Sequence, residues 1–467
     1  MKTKKINYVY KTEPYDHQKD VLEVSWAARY WALFLEMGTG KSKIICDTIG
    51  MLYERKEINA ALILAPKGVF DNWVKGEIPT HLPDRIERNV LRWTPSKTKA
   101  FQEKLRAITY EDSEDLKIFV MNIEAFSSAR GTKAAQTFLN SNPDNIVVVD
   151  ESTTIKNRKA ARTKNIVDLE ELSKYRRILT GSPVTKSPMD LFSQCLFLSP
   201  RALGFNSFFA FQGRYAMVQR RTMGHRSFQE IVGYRRLDEL NEKLLTFSSR
   251  ILKEDCLDLP PRIYVRREVE LTDEQAKLYT QMKRLALAQL NNGELATTSS
   301  VLTQIMRLQQ ICCGFLQPDE GPIEPLPNNR LSGLMSAIDE TQGKVIIWAS
   351  YTYDIQRITS ALRDRFGPEA VATYYGATPQ DERQDIIEKF QDVNSELRFF
   401  VGQPKTGGFG ITLHAASTMI YFSNSYDLEI RLQSESRAHR INQTKSVTYI
   451  DLVSPNTIDE KVLNALR

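Results

Sequence analysis

Residues 31–49 read WALFLEMGTGKSKIICDTI, and the order of residue types in this stretch decides the fold. An apolar run, Ala32–Leu35, leads into Gly38-Thr39-Gly40-Lys41-Ser42, after which Ile44, Ile45, Thr48 and Ile49 follow a helical pattern. Strand, glycine loop and helix in that order form the context of a phosphate-binding loop. The glycines let backbone N–H groups crowd round phosphate oxygens, and the N-terminus of the following helix adds positive potential. Lys41 is then expected to reach the β- and γ-phosphates of a nucleotide, and the Ser42 hydroxyl to hold Mg²⁺. Met37, Gly38, Thr39 and Gly40 complete the expected ATP-binding loop. The full eight-residue spacing is not met, because Met37 or Leu35 stands where an upstream glycine belongs.

A nucleotide site of this kind needs a carboxylate at the end of a neighbouring strand. NIVVVDES (145–152) supplies one: an apolar run suited to a buried parallel strand, ended by Asp150-Glu151. Ligands bind at the carboxyl ends of strands in open α/β sheets. Asp150 is expected to orient Mg²⁺ and its waters, and Glu151 to position and deprotonate an attacking water. AALILAP (60–66), LKIFVMN (116–122) and YRRILTGSP (175–183) are further strand-like runs separated by helix-length segments. The pattern is α/β, a doubly wound parallel sheet.

The totals agree with a soluble globular chain. The 467 residues suggest about three domains of ordinary size, with 42% hydrophobic and 26% charged residues. No apolar run approaches the ~20 residues of a membrane helix, so no membrane partner is expected. The basic start, MKTKKINYVYKTEP, lacks the apolar core of a secretory signal. Five cysteines without CxxC or Cys/His ligand spacing read as reduced thiols in a cytosolic protein, with neither a disulfide framework nor a zinc site. The net charge of +6 leans mildly towards polyanions. Near the C-terminus, QSESRAHRINQ (433–443) sets Arg437 and Arg440 three apart, on one face if the segment is helical. By itself such a pair faces solvent.

Taken in order, these segments resemble the SWI/SNF-type ATPases of helicase superfamily two. GTGKS is similar to that group's motif I, APKGVFDNW to motif Ia, DESTTIKN to motif II, and LTGSPVTKSPMDLFSQCLFLSP to motif III with its continuation. The stretch 248–279, SSRILKEDCLDLPPRIYVRREVELTDEQAKLY, and LTQIMRLQQICC (302–313) resemble signatures particular to the group. KVIIWASYTYDIQRI (344–358), YYGATPQDERQDIIEKF (374–390), TGGFGITLHAAS (406–417) and QSESRAHRINQTK (433–445) resemble the second-lobe motifs. The resemblance runs from about residue 14 to the end. Two departures stand out: DEST replaces the usual DEAH, so Ser152 and Thr153 occupy the positions that couple motif II to motif III, and Tyr426 replaces a tryptophan element.

The resemblance implies two RecA-like lobes, residues 1–199 and 336–467, with a mainly helical insertion and linker over 200–335. It implies ATP and Mg²⁺ as cofactors, with Arg437 and Arg440 as arginine fingers on the transferring phosphoryl group. Gln433 would fix the helix carrying them, and Gly408 is expected at the nucleotide. Gln18, in PYDHQKD, would read adenine. Lys67, Trp73, Asn122, Thr185 and Lys186 from the first lobe, and Ser350, Tyr351 and Thr406 from the second, are expected to track a phosphate backbone. Arg220 and Arg221, grouped with His225 and Arg226 around Gly224, would lie in a duplex-gripping loop. The expected activity is ATP-dependent translocation on double-stranded DNA, in replication, recombination or repair. A helicase or branch-migration motor on forked or single-stranded DNA is the alternative, and an ATP-gated clamp a third. A compact motor of this kind resembles those of bacteria and their viruses, which implies the cytoplasm, or the nucleus in a eukaryote. Protein partners are not indicated.

Overall fold

AALILA and NIVVVD are buried at every position, as strands covered on both faces by helices must be. In the computed structural model, which describes residues 8–466 except 68, 206, 224, 225, 257, 292–297, 319, 381, 408 and 409, both runs are interior strands. The chain divides into two compact units, Met1–Leu257 and Asp258–Arg467.

The strands of the first unit are β1 (Tyr30–Leu35), β2 (Ala60–Ala65), β3 (Arg88–Arg92), β4 (Leu116–Asn122), β5 (Asn145–Asp150), β6 (Tyr175–Leu179), β7 (Ala216–Met223), β8 (Arg226–Tyr234) and β9 (Ser248–Ile251). Seven of them form one sheet in the order β3-β4-β2-β5-β6-β1-β9. Every pair in it is parallel. The five runs read from the sequence are all present. β3 and β9 are additions at the two edges, where less than complete burial leaves a weaker apolar pattern.

The second unit holds β10 (Arg262–Glu268), the short antiparallel pair β11 (Phe315–Leu316) and β12 (Glu324–Pro325), and β13 (Lys344–Trp348), β14 (Val371–Tyr374), β15 (Phe399–Gly402), β16 (Ala416–Tyr421) and β17 (Val447–Val453). Its six-stranded sheet runs β10-β17-β16-β13-β15-β14, again all parallel. Side chains of a strand alternate between faces. Val345 and Ile347 of β13 accordingly join one apolar cluster with Ile355, Ile358 and Leu362, whereas Ile346 and Trp348 join another with Phe390 and Leu413. These are the two RecA-like lobes.

The segment 200–335 is shared between the units. Its first part carries the antiparallel hairpin β7–β8 and then β9, which completes the first sheet. Its later part supplies β10 and the helices Asp273–Asn291 and Thr298–Cys313; Tyr279, Leu308, Ile311 and Cys312 pack on Ile458 and Val462 of the C-terminal helix. The mainly helical reading thus holds for 273–291 and 298–313 but not for β7 and β8, which form an antiparallel ladder instead. The linker expected at the end of 200–335 is not wholly irregular, since it carries the β11–β12 pair and the start of the helix Arg330–Asp339. No helix among the described residues is long and apolar enough to cross a membrane.

Arg330 shows what holds the second unit together. Its side chain is 1% exposed; Nη1 lies 2.6 Å from Asp459, Nε donates to the Phe422 carbonyl and Nη2 to that of Leu452. Removing one partner of such a pair strands the other charge in the interior. Arg330→Met is expected to lower unfolding free energy by about 3–5 kcal/mol. Asp459→Asn in the same chain should recover part of that loss in urea titrations.

Candidate nucleotide and nucleic-acid site

The loop after β1 turns back through two left-handed glycines, Gly38 at φ 84° and Gly40 at φ 86°. Gly40 caps the helix Lys41–Glu54, which has no side-chain cap and no acidic residue in its first turn. The helix therefore starts with N–H groups and positive potential open to an anion. Lys41 Nζ folds back to the Leu35 and Glu36 carbonyls at 2.9 and 3.4 Å, which puts the ammonium inside the curve of the loop. Gln18, 2% exposed, donates to the Thr39 carbonyl at 3.0 Å and accepts from the Tyr15 N–H at 3.0 Å. Its amide braces the loop from behind, with His17 Nε2 2.9 Å from the same carbonyl. A Cβ on Gly40 would meet Gln18 Nε2 at 2.1 Å. The residue expected to read a base is thus built into the loop's support.

Asp150 ends β5 and is 7% exposed. Its Oδ2 accepts from the Trp73 indole N–H at 2.9 Å, and its Oδ1 from the Glu151 N–H at 3.0 Å. Trp73 is fully buried, which removes it from the expected nucleic-acid contacts and makes it a brace for the carboxylate. It opens a π-helical turn, Trp73–Glu77, closed by Pro79 in the following turn; proline's missing N–H accompanies the shift in the ladder. Glu151 takes a left-handed backbone at φ 48°, a strained conformation for a residue with a side chain. Together Ser42 and Asp150 offer a hydroxyl and a carboxylate, the hard oxygen donors Mg²⁺ takes alongside phosphates and water. No cluster of three or more His, Cys, Asp or Glu side chains forms a metal site among the described residues, and the residues present fit a cation held largely by its substrate.

Lys67 after β2, Asn122 at the end of β4, and Thr185 and Lys186 after β6 stand at the same edge of the sheet, because all the strands are parallel. Lys67 and Lys186 are exposed. The amide of Asn122 is turned to Glu124 at 3.2 Å. Asp190 gathers the loop, accepting at Oδ2 from the Thr185 N–H and hydroxyl and the Lys186 N–H at 3.1, 2.9 and 2.9 Å. Burial works to raise the Asp190 pKa, but these donors and that of Ser187 hold it below the usual carboxylate range. Arg250 of β9 ties the loop after β6 to β1, donating to the carbonyls of Gly181 and Phe34, both at 2.9 Å. Arg220 and Arg221 lie on β7, not in a loop, and both are exposed; Arg221 pairs with Glu230 and Arg220 donates to Ser227. Arg226 opens β8, while Gly224 and His225 fall outside the described residues.

In the second unit the helix Leu428–Glu435 stops before both arginines. Arg437 and Arg440 sit in the turns that follow, so the expected shared helical face is not what aligns them. They converge all the same: both donate to the Ile411 carbonyl, at 3.2 and 3.3 Å, and Arg440 also to the Thr412 hydroxyl at 2.7 Å. Arg437 is 6% exposed, its Nε on the Gln433 carbonyl and Nη2 on the Ser436 hydroxyl, both at 2.8 Å. A third arginine, Arg431, anchors the helix on Glu435 and Asp451 over the Tyr421 ring. Ser350 bonds Ser423 and receives Gln403, which in turn accepts from Thr406 at 3.3 Å; these polar groups sit beyond the carboxyl ends of β13 and β15. Tyr351 is packed edge-on to Phe315 with its hydroxyl on Gln309 at 3.4 Å, a supporting position. Gly408 lies outside the described residues.

Sequence reading missed Arg250, Asp190, Arg431 and Gln194. Gln194 alone carried a visible signal, a single amide inside the mostly apolar helix LFSQCLFL.

Two parallel-sheet units, one with a glycine phosphate loop and a strand-end acid pair, define a nucleotide-binding protein of the two-lobed helicase type. The chain matches the SNF2-related domain over residues 17–315 and the helicase conserved C-terminal domain over residues 329–442. It belongs to the SNF2-related family. It is 26% identical over 92% of its length to the SWI/SNF chromatin-remodeling complex subunit snf22 of Schizosaccharomyces pombe, covering 26% of that protein. It is likewise 26% identical over 91% of its length to an uncharacterized ATP-dependent helicase of Mycoplasma genitalium, covering 38% of it. The chain thus spans well under half of these relatives. A solved structure, the Sulfolobus solfataricus SWI2/SNF2 ATPase core in complex with dsDNA, aligns with 98% of this chain and 91% of that one at 23% identity and a TM-score of 0.44.

Gly40→Ala is expected to cost about 1–2 kcal/mol for the left-handed backbone alone. It should also push Gln18 off Thr39. Urea titration of the single variant and of Gly40→Ala/Gln18→Ala separates the two contributions: the double variant should retain the backbone cost.

Proposed function

We propose that this chain is a DNA-dependent ATPase that couples ATP hydrolysis to movement along double-stranded DNA. The observation that supports this best is the gathering, at one edge of the first sheet, of the phosphate loop, the Asp150–Glu151 pair and the exposed cations Lys67 and Lys186. A triphosphate would lie in the loop with its negative charge against Lys41 and the helix N-terminus. Ser42 and Asp150 would hold Mg²⁺, which supplies charge neutralisation on the phosphates. Glu151, beside Asp150 on a strained backbone, would orient a water and take its proton as it attacks phosphorus. Arg437 and Arg440 would stabilise charge on the transferring group. Gly408, Lys67, Asn122, Thr185, Lys186, Ser350 and Thr406 remain assigned to nucleotide or backbone contact. The finer role, in replication, recombination or repair in the cytoplasm of a bacterial or phage-infected cell, is part of the same proposal.

The hairpin β7–β8 gives a second reading, a helicase or branch-migration motor, because an exposed hairpin is a shape able to part strands. ATP turnover measured side by side with blunt duplex, fork, single-stranded DNA and RNA distinguishes them. The expected result is strongest stimulation by blunt duplex, lost by at least a hundredfold in Lys41→Ala. Stimulation by single strands alone overturns the duplex proposal, and equal slow turnover in wild type and Lys41→Ala with every nucleic acid favours a clamp.

Phosphate contacts release counterions, at about 0.9 units of slope in log affinity against log salt for each phosphate neutralised on duplex DNA. Arg220→Glu/Arg221→Glu should weaken duplex binding and flatten that slope by about 1–2. Unchanged affinity and slope in fluorescence anisotropy would remove the hairpin arginines from the contact surface.

A further inference from the structure

Gln194 stands where packing asks for a leucine. The helix Leu191–Leu198, LFSQCLFL, is almost wholly buried, and Gln194 within it is fully shielded. A buried amide is costly unless its hydrogen-bonding groups are met. Here three bonds meet it. Its Oε1 accepts from the Ser152 hydroxyl at 2.7 Å, and its Nε2 donates to the carbonyls of Pro183 and Asp190 at 2.8 and 2.9 Å.

The partners lie on two separate loops. Ser152, also fully buried, begins the turn directly after Asp150–Glu151. Pro183 and Asp190 flank the loop that presents Thr185 and Lys186, the segment Asp190 organises through its carboxylate. A second bridge runs beside the first. Lys156, one residue past the turn that Ser152 opens, donates to the Thr185 hydroxyl at 2.6 Å, and that hydroxyl donates on to Asp190 at 2.9 Å. The loop after the acid pair and the loop after β6 are therefore joined at two points by directional bonds. A polar network that is fully satisfied and dry holds its members in one arrangement, so a shift at one end has to be matched at the other.

We propose that Ser152 and Gln194 are positioning residues that transmit engagement of nucleic acid at the 183–187 loop to the Asp150–Glu151 pair. This rests on the reading of the chain as a DNA-stimulated ATPase. Ser152 stands at one of the positions where the motif differs from its family's usual form, and Gln194 is the group on this chain that answers it.

The test compares wild type, Ser152→Ala, Gln194→Met, the double variant and Ser152→Thr in the full chain. Turnover is measured against ATP concentration with and without saturating blunt duplex, together with melting temperature. Ser152→Ala and Gln194→Met are each expected to lower duplex-stimulated kcat about tenfold, with KM for ATP and the half-stimulating duplex concentration within twofold of wild type. The double variant should be no slower than the slower single variant, since both cut one path. Ser152→Thr, which keeps the hydroxyl, should restore stimulation to within twofold. If Gln194→Met does not fold, Gln194→Glu replaces it, keeping the acceptor for Ser152 while losing the donors to Pro183 and Asp190. Stimulation unchanged in both single variants, losses that multiply in the double, or a failure of Ser152→Thr to restore a well-folded protein each overturn the proposal. A wild type that no duplex stimulates overturns the functional reading itself, and a stimulated wild type with indifferent variants overturns only this inference.

Discussion

In a sheet whose strands all run the same way, every carboxyl end lies along one edge. That constraint organises both units of this protein. In the first it sets the loops after β1, β2, β4, β5 and β6 side by side, so residues from 35 to 190 meet without any long-range device beyond the strand order itself. The order β4-β2-β5-β6-β1 also spaces them: the glycine loop stands at one end of the row, the exposed lysine after β2 towards the other, and the acid pair between. In the second unit the same rule brings Ser350, Gln403 and Ser423 together beyond β13, β15 and β16.

Strand order alone leaves such loops free to wander, and much of the polar chemistry here is spent on stopping that. Gln18 fixes the glycine loop, Trp73 fixes Asp150, Asp190 fixes the loop after β6, and Arg250 pins that loop to β1 by their carbonyls. Each brace is a side chain reaching main-chain groups or a carboxylate in a protected place, where a hydrogen bond is stronger than in water and a missing one more costly. In the second unit the guanidiniums of Arg437 and Arg440 are brought to one spot by the Ile411 carbonyl, a shared acceptor that no helical periodicity could supply.

Much of this was legible in the residues. Interior strands announced themselves because burial on both faces demands unbroken apolar runs, and the phosphate loop because only glycine tolerates its backbone. Edge strands β3 and β9 did not, since a half-covered strand needs no such run. The hairpin β7–β8 was read as a helical or irregular segment with its arginines in a loop; its stability comes from cross-strand pairing, which a single strand's composition does not disclose. Trp73 was misjudged for a related reason. An aromatic among polar residues after a strand suggests exposure, and its burial depends on a π-helical turn and on a partner 77 positions away. The arginine pair was expected on a helix that ends too early, and a shared acceptor, the Ile411 carbonyl, aligns the two charges in its place.

The bond between Trp73 and Asp150 has an optical side. An indole emits according to the charges around it, and this one is sealed from water with its N–H on the carboxylate assigned to the metal. Whatever draws on that oxygen competes with the ring for it. With the other tryptophans, at 26, 31, 93 and 348, replaced by phenylalanine, the protein's own ultraviolet fluorescence becomes a gauge of occupancy at Asp150, read in real time and without an attached dye.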